Sequence, residues 1–535
     1  MPSLILGPLL RYVGETDAVV WVETDAPCTV EVLDKREQTF HVAGHHYALV
    51  RAQGLAPGSA HTYEVHLDGE LAWPQPGSGF PPSRFRTLPQ RRPLRICFGS
   101  CRATAPGRGV DALGALVHRM RAQSPDEWPD LLLLLGDQVY ADDVSAATRR
   151  HLAARRDLRE PPGPRVWGYE EYTRLYREAW GEPSLRWLLS TVSTAMIFDD
   201  HDVDDDWNLS ASWLADRRAE AWWDEHITGA LASYWVYQHL GNLSPDEHER
   251  EELFAAVQAA QDAGPLLHDF AREADRRPTS YRWSYRRDLG ATRLITVDSR
   301  AGRVLDEGRR SMLDEKEWAW LEREATGGYD HLLVATSLPW LLAPAVHHLE
   351  AWSEAVCAGA WGERAARMVE RLRQAIDLEH WAAFQRSFVR LGELQRAVGA
   401  GERGEPPASV VTLSGDVHHA YLAEVTLPEG GGAPVRSRVW QAVCSPVHNP
   451  LHAPEQWAMR LARSRPAAGL ARLLARTAGV PPPAVAWREV GGGPWFDNQL
   501  GTLSAEGRRI DLVLERAAGS DAAPRLEPLL RKRLA

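Results

Sequence analysis

The stretch "DLLLLLGDQVY", residues 130–140, is the best starting point for the fold. Five consecutive leucines leave no polar residue for a wet side, so a strand here has both faces covered, as in the interior of an α/β sheet. The apolar run stops at Gly136-Asp137, and polar groups follow. The same design recurs at "LRICFGSC" (94–101), "TAMIFDDHD" (194–202), "TRLITVDSR" (292–300), "HLLVATS" (331–337) and "SVVTLSGDVHHAY" (409–421). Ligands of α/β sheets gather at the carboxyl ends of the strands. Cys101, Asp137, Asp200, His201, Asp298, Asp416 and His418 all fall at such ends.

The chain changes character on either side of this region. Up to residue 90 it shows short alternating segments such as "AVVWVET" and "HTYEVHLDG" between Gly, Pro and Asp turns, which predicts a small fibronectin-III-like β-sandwich over 1–90. A basic, Pro-rich linker (74–93) leads to an α/β domain over 91–450. Ala-, Leu-, Arg- and Trp-rich segments near 145–190, 208–280 and 347–400 read as helical insertions, their tryptophans as packing. Residues 451–535 read as a helix-and-strand extension on the core, with "QLGTLSAEGRRIDLVLE" a candidate strand pair covering a sheet edge.

Composition narrows the function classes. A net charge of −11 over 535 residues argues against a nucleic-acid scaffold or a general attraction to anionic lipid, while leaving a local basic patch possible. Five scattered cysteines are too few for a disulfide framework. The N-terminus "MPSLILGPLLRYVG" lacks a basic region and cleavage site, and "LLVATSLPWLLAPAV" (332–346) is too short and interrupted to span a bilayer. The expectation is a cytoplasmic protein with no membrane segment.

The polar residues at the strand ends have ligand chemistry. Asp137 and Tyr140 flank one turn; a phenolate suits a strongly acidic metal and a carboxylate can bridge two. Asp416 and His418 alternate, so in an extended chain both point the same way. In "DDHDVDDD" (199–206) six aspartates crowd eight positions, which demands either solvent or neutralising partners. His201 beside Asp200 is placed to act as an acid or charge stabiliser rather than a ligand.

In this order, Ser-Cys, "GDQVY", "DDHD", "VDSR" and "SGDVHH" resemble the alkaline phosphatase D (PhoD-like) family of metallophosphatases, related to purple acid phosphatases. The resemblance implies a calcineurin-like β-sandwich flanked by helices and hydrolysis of phosphate esters with ferric iron and calcium, magnesium or manganese being substitutes for the latter. It implies Cys101, Tyr140 and His418 as iron ligands, Asp137 as the bridge, and Asp200, Asp416 and Asp298 as ligands of the second metal. It further implies His201 and Arg300 as catalytic groups, Arg300 clamping phosphate while metal-activated hydroxide attacks in line. Departures from the family pattern are Asp202 in place of Glu, the acidity of "VDDDWN", which leaves Asp204 to Asp206 for solvent or support, and the lack of polar ligands in "ATSLPWLL". A phosphodiesterase with the same site, a non-catalytic metal-binding interaction protein and a Cys101-based hydrolase are the alternative readings. The sequence leaves the oligomeric state open.

Overall fold

The computed structural model describes residues 1–535 apart from 90–91, 106 and 429–432. The domain boundary expected at 90/91 therefore falls outside the described residues. All six apolar runs are strands: β1 (Leu94–Gly99), β2 (Leu131–Leu135), β3 (Ser193–Ile197), β4 (Thr292–Val297), β5 (His331–Thr336) and β6 (Ser409–Ser414). They are shared between two sheets. In the first, β3, β2 and β1 are parallel, and β1 continues antiparallel into Gln499–Glu506, Arg509–Ser520 and Ala523–Arg533. In the second, Tyr285–Leu289, β4, β5, β6 and Arg438–Val443 are followed by Ala420–Thr426 and Ala486–Trp495.

The leucine run explains the layering. Leu131, Leu133 and Leu135 meet Leu333, Ala335, Val411 and Leu413 from the opposite sheet. Leu132 and Leu134 face the other way, onto Leu113, Leu116 and Leu188 of flanking helices. The outer face of the second sheet, with Ile295, Val334 and Val410, is covered by Phe388 and Leu391 of helix Gln385–Ala400. Two facing sheets are thus each backed by helices, which is why the central strands show no polar face.

The chain before the linker is all β, with two antiparallel four-stranded sheets around Val20, Val30, Val50, Val65 and Trp73. Its other face, including Leu6, Trp21 and Tyr47, joins the core formed by the helical insertions. Trp207, Trp223, Trp235 and Trp283 are buried there as packing. The candidate strand pair after residue 498 extends the first sheet beside β1.

Candidate active site at the strand ends

The loops leaving β1, β2, β3 and β6 are stitched together by backbone. The Cys101 and Arg102 amides donate to the carbonyls of Gly136 (3.2 Å) and Asp137 (3.1 Å). Gly136 has φ +106°, and a Cβ there would stand 2.5 Å from that of Asp199. At Gly415 a Cβ would lie 2.1 Å from the Ser100 hydroxyl. The glycine in each Gly-Asp pair is therefore a steric necessity that lets the loops approach. The next residues carry strain: Cys101, Asp137, Asp416 and His418 have φ of 57°, 51°, 64° and 50°. Left-handed backbone costs a non-glycine residue about 1 kcal/mol or more, and concentrates where side-chain aim outweighs local stability.

The strained residues aim at one place. Donor atoms of Cys101, Asp137 and His418 lie within 4.8 Å of one another, and so do those of Asp137, Asp200 and His201. Asp137 belongs to both groups. Tyr140 is buried, its ring 4.7 Å from that of His201, and its hydroxyl accepts from Asn449 Nδ2 at 3.0 Å. Burial pushes the Cys101 thiol well up, with Asp137 and Asp416 adding to it. Burial likewise raises the Tyr140 phenol, helped by Asp137 and Cys101. The Asp137 carboxyl is raised by burial and by Asp199 and Asp200, against the pull of His201. Burial lowers His418 to about 4, which leaves its imidazole neutral with a lone pair to offer. A bound cation reverses the first three of these tendencies, because it favours the anionic form of each group.

The six crowded aspartates have separate fates. Asp199 is fully buried against the Arg300 guanidinium. Asp202 accepts the amides of Asp137 (2.9 Å), Gln138 (3.2 Å) and Asp199 (2.9 Å) and the Gln238 side chain (3.1 Å). Asp204, expected to face water or support the site, is instead fully buried between Arg165 (2.8 Å) and Arg217 (2.9 Å). Asp205 is mostly exposed. Asp200 accepts the Asp206 amide through Oδ2 (3.0 Å), while its Oδ1 has no hydrogen-bond donor.

Two expected site residues sit differently from the reading of the sequence. Asp298 lies outside the donor groups; its oxygens take the amides of Arg300 (2.8 Å), Ala301 (3.0 Å) and Gly302 (2.8 Å), so it folds the turn after β4. Arg300 is fully buried and is not part of the cavity wall. It pairs with Asp199 and Glu379, and its Nη2 lies 3.2 Å from Asp200 and 3.7 Å from Asp416. As placed, it is a counter-ion for four carboxylates rather than an open phosphate clamp.

Other groups at the site are absent from the sequence reading. Asp142 holds His201 Nδ1 at 2.9 Å; burial opposes the imidazolium, but Asp142 and Asp200 outweigh it and the ring is shifted well up. His380 bridges Glu350 (2.7 Å) and Asp416 (3.0 Å). Asp142 and Asn449 follow strands, whereas His380 comes from a loop of an insertion with no local cue.

Asp137, Asp200, His201, Asp416, His418 and His380 line one cavity of about 480 Å³. Leu342, Val346, Leu451 and Met459 also line it, together with polar residues such as His452, Glu455 and Arg463. A larger groove of about 1240 Å³ lies beside helix Gln385–Ala400, and among the described residues no cluster of metal-ligating donors lines it.

Comparison with known proteins agrees with this geometry. The model of the PhoD-like phosphatases matches residues 100–469. The chain belongs to the PhoD-like phosphatase family. It is a metal-dependent phosphatase of mixed α/β fold. Residues 1–85 match a domain of unknown function, DUF7800. No curated protein matches the sequence. Among solved structures, the one described as "Structure of PhoD" superposes with TM-score 0.61 at 12% identity, covering 99% of this chain and 92% of its own. A purple acid phosphatase from yellow lupin (Lupinus luteus) seeds gives 0.47 at 10% identity, with 97% of this chain and 73% of that one covered. No helix among the described residues is long and apolar enough to cross a membrane.

Proposed function

We propose that this phosphatase works through a dinuclear centre, with ferric iron held by Cys101, Asp137, Tyr140 and His418 and a divalent ion, calcium first, held by Asp137, Asp200 and Asp416. The observation that carries the reading is the position of Asp137 in two donor groups at once. The residues suit such ions. Asp137 Oδ1 and Asp200 Oδ1 are buried without a hydrogen-bond donor, His418 is neutral, and thiolate and phenolate match a strongly acidic metal while carboxylates match a hard divalent one. When bound, the cations supply Lewis acidity toward phosphoryl oxygens and water.

The chain's own residues do the rest. His201, oriented by Asp142 through Nδ1, keeps a proton at neutral pH and presents it to the leaving oxygen. Asp202 fixes the loop amides around Asp137, so the carboxylate that would bridge the two ions is held in place. The apolar side chains lining the cavity exclude water from the ester's organic group. They are also the observation favouring the second reading, a phosphodiesterase, because they leave room for a second substituent.

The test is elemental analysis with kinetics on one sample. Removal of all metals should abolish hydrolysis of an aryl monoester and a bis-aryl diester, and iron with calcium should restore the preferred substrate. His201→Ala should cut turnover while iron content stays at the wild-type level. Restoration by zinc alone would reject the proposed metals, and loss of iron from His201→Ala would make that residue a ligand.

A further inference from the structure

Four of the chain's exposed large apolar side chains fall on two adjoining helices. Trp457 (64% exposed) and Leu461 (48%) lie four residues apart on helix α1 (Ala453–Ala462), and Leu470 (71%) and Leu473 (60%) lie three apart on the adjoining helix α2 (Arg465–Thr477). Residues three or four apart share one helix face, so each helix presents an apolar stripe to solvent. Their opposite sides are occupied. Met459 and Arg463 face the catalytic cavity, and Leu474 and Ala475 pack on Trp352 and Val356 of helix Pro344–Cys357. Ile376, 46% exposed, continues the apolar edge on the far side of the cavity wall.

The charge of this segment opposes that of the molecule. Residues 453–477 contain five arginines and one glutamate, in a chain of net charge −11. Arg463 is neutralised by Glu489. Among the described residues Arg460, Arg465, Arg472 and Arg476 have no carboxylate partner; Arg460 stacks on Phe496 and Arg472 reaches His348. Trp and Leu on one side with Arg at the flanks is the pattern of helices that lie in a lipid interface, apolar groups among acyl chains and guanidiniums at the headgroups.

We propose that α1 and α2, which border the catalytic cavity through Met459 and Arg463, form a docking lip that seats the molecule on an anionic lipid surface. A second copy of the chain fits less well, because a two-fold contact would set Arg465, Arg472 and Arg476 against their own equivalents. The proposal concerns where the molecule sits and stands independently of which metals or ester it uses.

The experiment is flotation of the full-length protein with phosphatidylglycerol vesicles and, separately, phosphatidylcholine vesicles, alongside sedimentation of the protein alone. Binding should require the anionic lipid and weaken about tenfold between 0.1 and 0.5 M salt. A variant carrying Trp457→Ser, Leu461→Ser, Leu470→Ser and Leu473→Ser should lose about tenfold or more in vesicle affinity while its thermal midpoint and turnover on a soluble aryl ester are unchanged. Arg465→Glu with Arg476→Glu, which leaves the four apolar side chains in place, should weaken binding in the same direction. Wild-type protein that fails to float with phosphatidylglycerol, or floats equally with both lipids regardless of salt, overturns the proposal. So does a concentration-dependent dimer that the four serines abolish.

Discussion

Replacing Arg300 with methionine tests whether this guanidinium is a structural counter-ion or a group that grips substrate. Its side chain has no exposure and touches Asp199 and Glu379 directly, with Asp200 at 3.2 Å and Asp416 at 3.7 Å. Methionine fills nearly the same length, so little cavity forms and the cost comes from carboxylates left without their partner. Breaking one side of a buried ion pair costs about 3–5 kcal/mol, against a total folding stability of about 5–15 kcal/mol. Arg303, 3.3 Å from Glu379, retains part of that site, which places the expected loss toward the lower figure. Urea unfolding in the presence of a chelator should therefore show Arg300→Met less stable by about 3 kcal/mol. Adding Asp199→Asn should recover about 1 kcal/mol or more, since one unpaired charge is removed. A variant within about 0.5 kcal/mol of wild type whose KM for a phosphate ester rises tenfold would refute the counter-ion argument and reinstate Arg300 as a clamp.

Two further outcomes follow from the site and the core. The iron-loaded protein should show a visible phenolate charge-transfer band that Tyr140→Phe abolishes; Asn449→Ala, which removes the 3.0 Å hydrogen bond to that oxygen, should shift the band, and an unchanged Phe spectrum would remove Tyr140 from the centre. His347 is buried and burial lowers it to about 3, so the unfolded chain binds its proton first: its contribution is whole above pH 6.5 and is lost as pH falls from there toward 3. Between pH 7.5 and 5.5 wild type should lose about 1.4 kcal/mol more stability than His347→Phe by urea titration, and parallel curves would count against a neutral buried imidazole.

Legibility in the sequence tracked locality. The six central strands were readable because burial on both faces erases alternation and leaves continuous apolar runs, and their polar ends gave Cys101, Asp137, Tyr140, Asp200, His201, Asp416 and His418 together. The final strands were harder. Ala486–Trp495 contains three consecutive glycines and half-exposed residues, so nothing in it announces a sheet member, although it closes the second sheet beside Ala420–Thr426. Arg300 misled for a different reason. The resemblance of "VDSR" to the family implied a phosphate clamp, but Arg300 is divided between Asp199 and Glu379, the latter supplied by an insertion 79 residues later. His380 entered from the same insertion. Pairings of that kind depend on how two loops pack, and neither loop encodes the other.

The crowded aspartates show how the packing decides the charge of the centre. Asp199 and Asp204 are matched by arginines and Asp202 by loop amides, so the three most deeply buried carboxylates need no metal. Asp205 reaches solvent. What remain are Asp200 and Asp206, each with one buried oxygen that accepts no hydrogen bond, beside Asp137 in the same condition. An acidic run that looks from its composition like a site for several cations thereby has much of its charge matched by arginines and loop amides, next to one thiol, one phenol and a neutral imidazole. The arginines thus shape the charge of the centre: Arg165 and Arg217 neutralise Asp204, and Arg300 pairs with Asp199 while its Nη2 stands 3.2 Å from Asp200, so a cation proposed at Asp137 and Asp200 would share Asp200 with that guanidinium.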